Sequence, residues 1–435
     1  MMLKRYNTFI ILFLLFMILW PAFGQTDMKV TTMDVVTQQK LIFIPDSLKN
    51  YDLNNDTSRW SWRHSVQTQN FIFFWERGFG DDPYNPPRLK DKQMAFDIGN
   101  LEICLERFYH FFRDTLQFTK PGSISGRYKM MVMLNYSLEG TAYGGTYDDF
   151  VGALWVAPNR IQDKKLNCLA HELGHSFQLQ IIADKAGEAW GGSGFFEMTS
   201  QWMLWKVNPS WMTDESYHFE AFKKLAHKGF LHSNNIYHSP YVIEWWAEKH
   251  GVTSIADLYR EGKVGEDPVV TYKRIYNMTQ KQFNDELFDC YRHLVNFDFQ
   301  HARKETRPYA CTFYTPMVDQ AVGGWQRLDS VYFPENYGFN AIRLMVPTDG
   351  RRISVDFRAL PTKDKTVGYR YGLVAITTDD KCIYDSMFSK PKQHITMTIP
   401  KDTVFKALYL VVMGAPLTHS FDPSSRMFPY EIRIR

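Results

Sequence analysis

The stretch Asn167-Cys168-Leu169-Ala170-His171-Glu172-Leu173-Gly174-His175-Ser176-Phe177-Gln178 decides how the rest of the chain is read. Its centre is an H-E-x-x-H pattern. On a helix, residues four apart share a face, so the imidazoles of His171 and His175 can grip one ion with Glu172 beside it as a base. A zinc ion held this way takes a third ligand from the protein and leaves a fourth position for water. The surrounding apolar spacing predicts a helix over 163–182, with Asp163 as its N-cap.

The third ligand is sought downstream. One pattern places Gly three residues and His six residues after His175; Gln178 and Ile181 stand there, which excludes it. Another uses a Glu on the next helix. Glu197 fits, in Gly194-Phe195-Phe196-Glu197-Met198, after the flexible Gly191-Gly192-Ser193-Gly194 that lets the chain reverse. An acid among Phe195, Phe196 and Trp202 needs a partner, and a metal is a good one. Asp184 and Glu188 follow His175 too soon for an easy reversal. Cys168, three residues before His171, reads as a core thiol.

His171, Glu172, His175 and Glu197 together resemble the gluzincin zinc metallopeptidases. The resemblance is sharp over about 30 residues and extends by element order to roughly 60–300. It is nearest to exported bacterial members with a β-sandwich behind the core. It implies Zn2+ as cofactor, hydrolysis of peptide bonds, and a protein, peptide or glycoprotein as substrate. It also implies that Val151–Val156, the strand before the motif helix, is the edge that binds substrate backbone. An oxyanion-stabilising His or Tyr is implied downstream, and in Ile236-Tyr237-His238-Ser239-Pro240-Tyr241 we name His238 and Tyr241. Many gluzincins hold the first His with an Asp four residues after the ligand Glu; Gln201 stands there instead.

Outward from the motif, Gln69 to Trp75, Lys129 to Leu134 and Val151 to Val156 read as buried strands, and Met94 to Leu116 as a helix. Gly144-Gly145 and Asp148-Asp149 read as a loop. Helical spacing continues through Phe195–Val207, Tyr217–His227, Tyr241–Lys249, Ser254–Glu261 and Gln280–Val295. Beyond about Ala321 the pattern changes to short β-branched and aromatic runs separated by turns such as Asp349-Gly350, an all-β sandwich. The fold class is therefore α+β: a zincin-like metallopeptidase domain over 61–310, built of a small mixed sheet plus helices, then a β-sandwich domain over 322–435. The sandwich carries no ligand motif and reads as structural support.

The N-terminus opens with Lys4 and Arg5, an apolar run of about 12 residues and small residues at Ala22 and Gly24, the pattern of a secretory signal peptide over 1–24. The run is shorter than the roughly 20 residues that span a bilayer. The chain is thus expected to be secreted or periplasmic, with an N-terminal extension over 25–60 and no stable membrane insertion. The 435 residues carry a formal net charge of +3 without a basic tract, which argues against a nucleic-acid partner. Five cysteines in no metal-binding spacing do not define the fold. The 33 Phe, 24 Tyr and 12 Trp read as aromatic cores before sugar platforms. The competing function is an exported glycan- or protein-binding protein with a structural or degenerate zinc site; an intact Glu172 argues against it, because a structural site needs no base.

Overall fold

The computed structural model describes residues 39–85, 94–137, 140–187, 190, 194–320, 323–346, 352–400 and 403–435. The expected signal peptide, Glu188, Gly191-Gly192-Ser193 and Asp349-Gly350 lie outside them. Five strands, β1 (Ser65–Gln67), β2 (Phe71–Trp75), β3 (Met130–Leu134), β4 (Ala142–Tyr147) and β5 (Val151–Val156), form a mixed sheet in the order β1-β2-β3-β5-β4. β2, β3 and β5 run parallel; β1 and β4 are antiparallel edges.

The three central strands are continuous apolar runs because both of their faces are covered. Phe71, Phe73, Val132, Leu134, Leu154 and Val156 face the helices. Ile72, Phe74, Met131, Met133, Val151 and Ala153 face the other way, onto Leu48 and Trp60. The N-terminal extension is therefore part of the fold from residue 40 onward, since residues 40–60 close the outer face of this sheet. Lys40 anchors it by donating to the Tyr109 hydroxyl at 2.7 Å and the Ser125 carbonyl at 2.6 Å.

Two of the local expectations are corrected. Gly144 and Gly145 lie inside β4 and not in a loop. The reversal falls at Asp148 and Asp149, whose φ angles of 52° and 50° suit a tight hairpin. The edge strand is consequently β4, and Val151–Val156 is an inner strand between β3 and β4. The motif helix runs Asn167–Ala183, four residues later than expected at its start. Asp163 caps the preceding turn, accepting from Lys165 N at 3.1 Å, and Leu166 enters the helix with a positive φ of 54°.

Helices follow at Phe195–Val207, Tyr217–Leu225, Tyr241–His250, Ser254–Glu261, Pro268–Ile275 and Gln280–Leu294. The fifth of these escaped the sequence reading; Asp267 caps it and Pro268 opens it. Among the described residues no helix is long and apolar enough to cross a membrane.

The C-terminal part has two antiparallel sheets. One holds β8 (Phe339–Leu344), β10 (Tyr369–Thr377), β11 (Cys382–Tyr384) and β13 (Phe405–Gly414), in the order β11-β10-β13-β8. The other holds β6 (Val318–Asp319), β7 (Gln326–Arg327), β9 (Arg352–Ala359), β12 (Lys392–Thr398) and β14 (Tyr430–Ile434), in the order β12-β9-β14-β7-β6. Their inner faces meet through Leu373, Ala375, Leu410 and Val412 against Val355, Phe357, Ile395 and Ile432. The opposite faces of β10 and β13 carry Val374, Ile376, Tyr409 and Val411 into the helical core. Tyr291 stacks on Phe339 there, with ring centroids 4.2 Å apart.

One sheet thus belongs to two cores. Residues 40–435 are expected to melt in a single calorimetric transition, and Leu410→Ala, at the centre of β13, to lower stability by about 2–5 kcal/mol. Two well-separated transitions would show that helices and sandwich fold independently.

Candidate metal centre

The motif helix is buried except along the stripe of Cys168, Glu172, His175, Leu179 and Ile182, which is only partly covered, and its polar residues are what seat it. Ser176 donates to the Ala153 carbonyl at 2.8 Å. Gln180 accepts from Gly152 N at 2.8 Å and donates to the Phe150 carbonyl at 3.0 Å. These bonds tie the helix to β5, and β4 passes directly over it. A Cβ on Gly144 would fall 1.6 Å from the Glu172 carbonyl oxygen, so only glycine fits there. Gly174 does the same for the helix Phe195–Val207: a Cβ would stand 2.8 Å from Ser200 Oγ and 3.2 Å from its Cα. That close approach brings Glu197 to the two histidines.

His171 Nε2, His175 Nε2 and Glu197 Oε2 form a triangle with sides of 3.0, 3.1 and 3.1 Å. Tetrahedral ligands about 2.0–2.1 Å from a zinc ion stand roughly 3.3 Å apart, so the donor set has the right size. The hydrogen bonding behind His175 says the same. Gln178 Nε2 meets the Phe196 carbonyl at 3.0 Å, which accepts only, so the amide oxygen must face His175 Nδ1, also at 3.0 Å. Nδ1 therefore carries the proton in the neutral ring, and the lone pair of Nε2 points at a carboxylate oxygen. Two acceptors 3.1 Å apart need a positive charge between them, which a bound metal ion or a second ring proton supplies. The three residues fit a metal.

Glu172 does not join this triangle. Its Oε2 accepts from Gly144 N at 2.8 Å, which holds the carboxylate against the edge strand. Burial pushes its pKa up; the neighbouring histidines and the Gly144 N–H oppose that rise. Asp184, a rejected ligand, accepts from Ile124 N at 2.8 Å and serves as an anchor. Cys168 is half-buried against the core, and burial pushes its thiol up to about 12.

The downstream hexapeptide divides differently from the sequence reading. Tyr241 is fully buried among Trp205, Phe219, Phe222 and Phe297, so its ring belongs to the core and is not brought to the triangle. His238 meets His218, Nδ1 to Nδ1 at 2.7 Å, and burial beside that ring brings it down to about 4. The residue that faces the triangle is Tyr237. Its ring lies 6.1 Å from that of His171 at 29°, and the phenol is 41% exposed as a residue. Burial, with the Glu197 and Glu172 carboxylates beside it, pushes the phenol up to about 12, so it stays a donor at neutral pH. Gln201 holds this turn: its amide donates to the Tyr237 carbonyl at 3.2 Å and meets His218 Nε2 at 3.1 Å. It is a support for Tyr237, where the sequence reading looked for a partner of His171.

Residues 34–435 match the model of a family described only as a family of unknown function, DUF6055. The chain belongs to the DUF6055 family. No curated protein matches this DUF6055 chain in sequence. Among solved structures it is similar to a ZmpB metallopeptidase from Clostridium perfringens, at 13% identity and a TM-score of 0.31, covering 84% of this chain and 69% of that one. It is similar also to the M60 catalytic domain of Clostridium perfringens ZmpC in complex with the sialyl T antigen, at 12% identity and a TM-score of 0.31, covering 82% and 67%. Likenesses this faint decide neither fold nor activity; the centre rests on its own geometry.

Elemental analysis of residues 25–435 is expected to find about one zinc per chain, with Glu197→Ala binding at least tenfold more weakly. Gly144→Ala is expected to reduce metal retention as well, by pushing β4 off the motif helix. Full zinc occupancy in Glu197→Ala would remove Glu197 from the ligand set.

Proposed function

We propose that this DUF6055 protein is an exported zinc-dependent peptidase that hydrolyses peptide bonds of proteins, peptides or glycoproteins. The observation that carries the reading is the triangle of His171, His175 and Glu197 with a separate carboxylate, Glu172, held beside it. A structural site needs the first three residues and has no use for the fourth. A zinc ion bound there supplies Lewis acidity, lowering the pKa of water towards about 7 and polarising a carbonyl.

The chain's own residues supply the rest. Glu172 takes the proton of the attacking water and passes a proton to the leaving amine. Gly144 N–H fixes that carboxylate in place through the transfer. Tyr237 donates its phenolic hydrogen towards the carbonyl oxygen as negative charge develops there. The edge strand β4 offers its outer backbone to an extended peptide, which would add to the sheet as a further strand. Exposed Tyr143 on β4 stands at this edge.

A peptide-library cleavage assay with the zinc-loaded protein tests the reading. Glu172→Gln is expected to keep the metal and to lose about 10²- to 10⁴-fold in kcat/KM. Tyr237→Phe is expected to lose about 10²-fold, chiefly in kcat, while Tyr241→Phe keeps parental activity. Cleavage by the parent matched by Glu172→Gln would sink the assigned base; a parent that binds zinc and cleaves nothing would favour the binding-protein reading.

A further inference from the structure

The outer face of the five-stranded sandwich sheet carries a charge pattern that support alone does not explain. Directly opposed residues in an antiparallel pair share a face. The register therefore sets Arg327, Glu431, Arg358 and Lys392 in one row across β7, β14, β9 and β12. Arg433, Asp356 and His394 form the next row. Arg352 and the terminal Arg435 share this face by alternation. Six formal cations thus stand over two carboxylates, on a chain whose total formal charge is only +3.

The carboxylates are on the floor and the cations are on top. The Glu431 side chain is 1% exposed beneath Arg327 and Arg358, whose side chains are 43% and 42% exposed. Asp356 lies beneath His394, Arg433 and Arg435, accepting at 2.7 Å, at 2.8 and 2.9 Å, and at 2.9 Å. Burial opposes ionisation of Asp356, but these donors hold its carboxyl well below the usual range. Arg358 and Arg433 also lie over the Trp325 ring, 4.2 and 4.8 Å from its centroid. The guanidiniums are fixed from below, with little rotamer freedom left to lose on binding. A guanidinium has five N–H donors, and one carboxylate beneath each leaves others facing solvent.

We infer that this face docks an acidic polysaccharide, a chain of carboxylate-bearing sugars laid across the strands. Arg327 and Arg358 are two strand spacings apart, roughly 10 Å, a distance on the scale of two successive sugar units, so the pair meets carboxylates on alternate sugars. Ser354 and Thr396, joined at 3.1 Å on the same face, offer hydroxyl partners for sugar hydroxyls. An anionic bilayer fits less well, because interfacial binding inserts apolar side chains and the aromatic ring here is roofed by guanidiniums. Single-stranded nucleic acid fits less well for the same reason, since base stacking needs an uncovered ring. The inference stands apart from the metal centre: it concerns a separate face and needs no catalysis.

Affinity electrophoresis of residues 25–435 through gels containing polygalacturonate tests it, with dextran as the neutral polymer. Retardation by polygalacturonate that weakens steeply with salt, and none by dextran, is expected. The double variant Arg327→Gln/Arg435→Gln leaves Glu431 with Arg358 and Asp356 with Arg433, so no buried charge is stranded. It should melt with the parent and lose about tenfold or more in affinity. Lys120→Gln/Lys263→Gln, which removes the same charge from exposed positions in the helical part, should bind as the parent does. Equal losses in both double variants, no loss in the first, no retardation of the parent, or tighter binding to DNA or to phosphatidylglycerol vesicles would each overturn it.

Discussion

The structure depends on seating a polar helix in an apolar interior. This helix cannot be amphipathic in the ordinary way, because His171, Glu172 and His175 point into the protein and must still be solvated by something. Here each buried polar side chain of Asn167–Ala183 has a structural partner. Ser176 and Gln180 grip β5, Gln178 grips Phe196 and His175, and Glu172 takes the Gly144 N–H. An unpaired buried polar group costs about 1–3 kcal/mol, so these bonds keep the site from being expelled to the surface. They also fix its geometry. The bond that satisfies Gln178 sets the tautomer of His175, and the bond that satisfies Glu172 sets the position of its carboxylate. Stability and site geometry rest on the same set of contacts.

Gly144 lets β4 come this close, and it marks where sequence reading and structure part. Gly144 and Gly145 look like a loop because glycine most often marks a turn. The role of Gly144 is close approach: β4 crosses the backbone of Glu172, and any Cβ there would collide. A single sequence cannot distinguish a glycine needed for φ from one needed for space. The error had a consequence, since it moved the edge of the sheet from β4 to β5. The hexapeptide Ile236–Tyr241 shows a second limit. The segment was legible as the place to look, but which side chain turns to the triangle of His171, His175 and Glu197 depends on where the helix Tyr241–His250 begins. Tyr241 is its first residue and faces the core; Tyr237, one turn earlier in the chain, faces the ligands. What was legible is what obeys a local rule. The H-E-x-x-H spacing, the acid stranded among Phe195, Phe196 and Trp202, the unbroken apolar runs of buried strands and the short β-branched and aromatic runs beyond Ala321 all do so.

The sandwich shows how one kind of strand can serve two neighbours. β10 and β13 are apolar on both faces, as expected of strands with layers above and below. β9 and β12 alternate because only one of their faces is covered. The four-stranded sheet is therefore the middle layer of the molecule, and the five-stranded sheet is its outer wall.

That layering explains why the cations gather where they do. A wall that only protected a core could carry any balanced mixture of charges, and pairing would be local and loose. Burying Glu431 and Asp356 under guanidiniums is a demanding arrangement, because a buried carboxylate must be matched closely or it destabilises the fold. The carboxylates satisfy some of the guanidinium donors and position the rest, which leaves a rigid cationic surface on the side of the sandwich turned away from the helices. The metal centre uses the same device in reverse. There Gln178 and Ser200 lie behind His175, at its Nδ1, and aim its Nε2 inward. In both places a buried polar partner fixes which atoms of a side chain remain available, and that selection is what turns a packed surface into one that can bind.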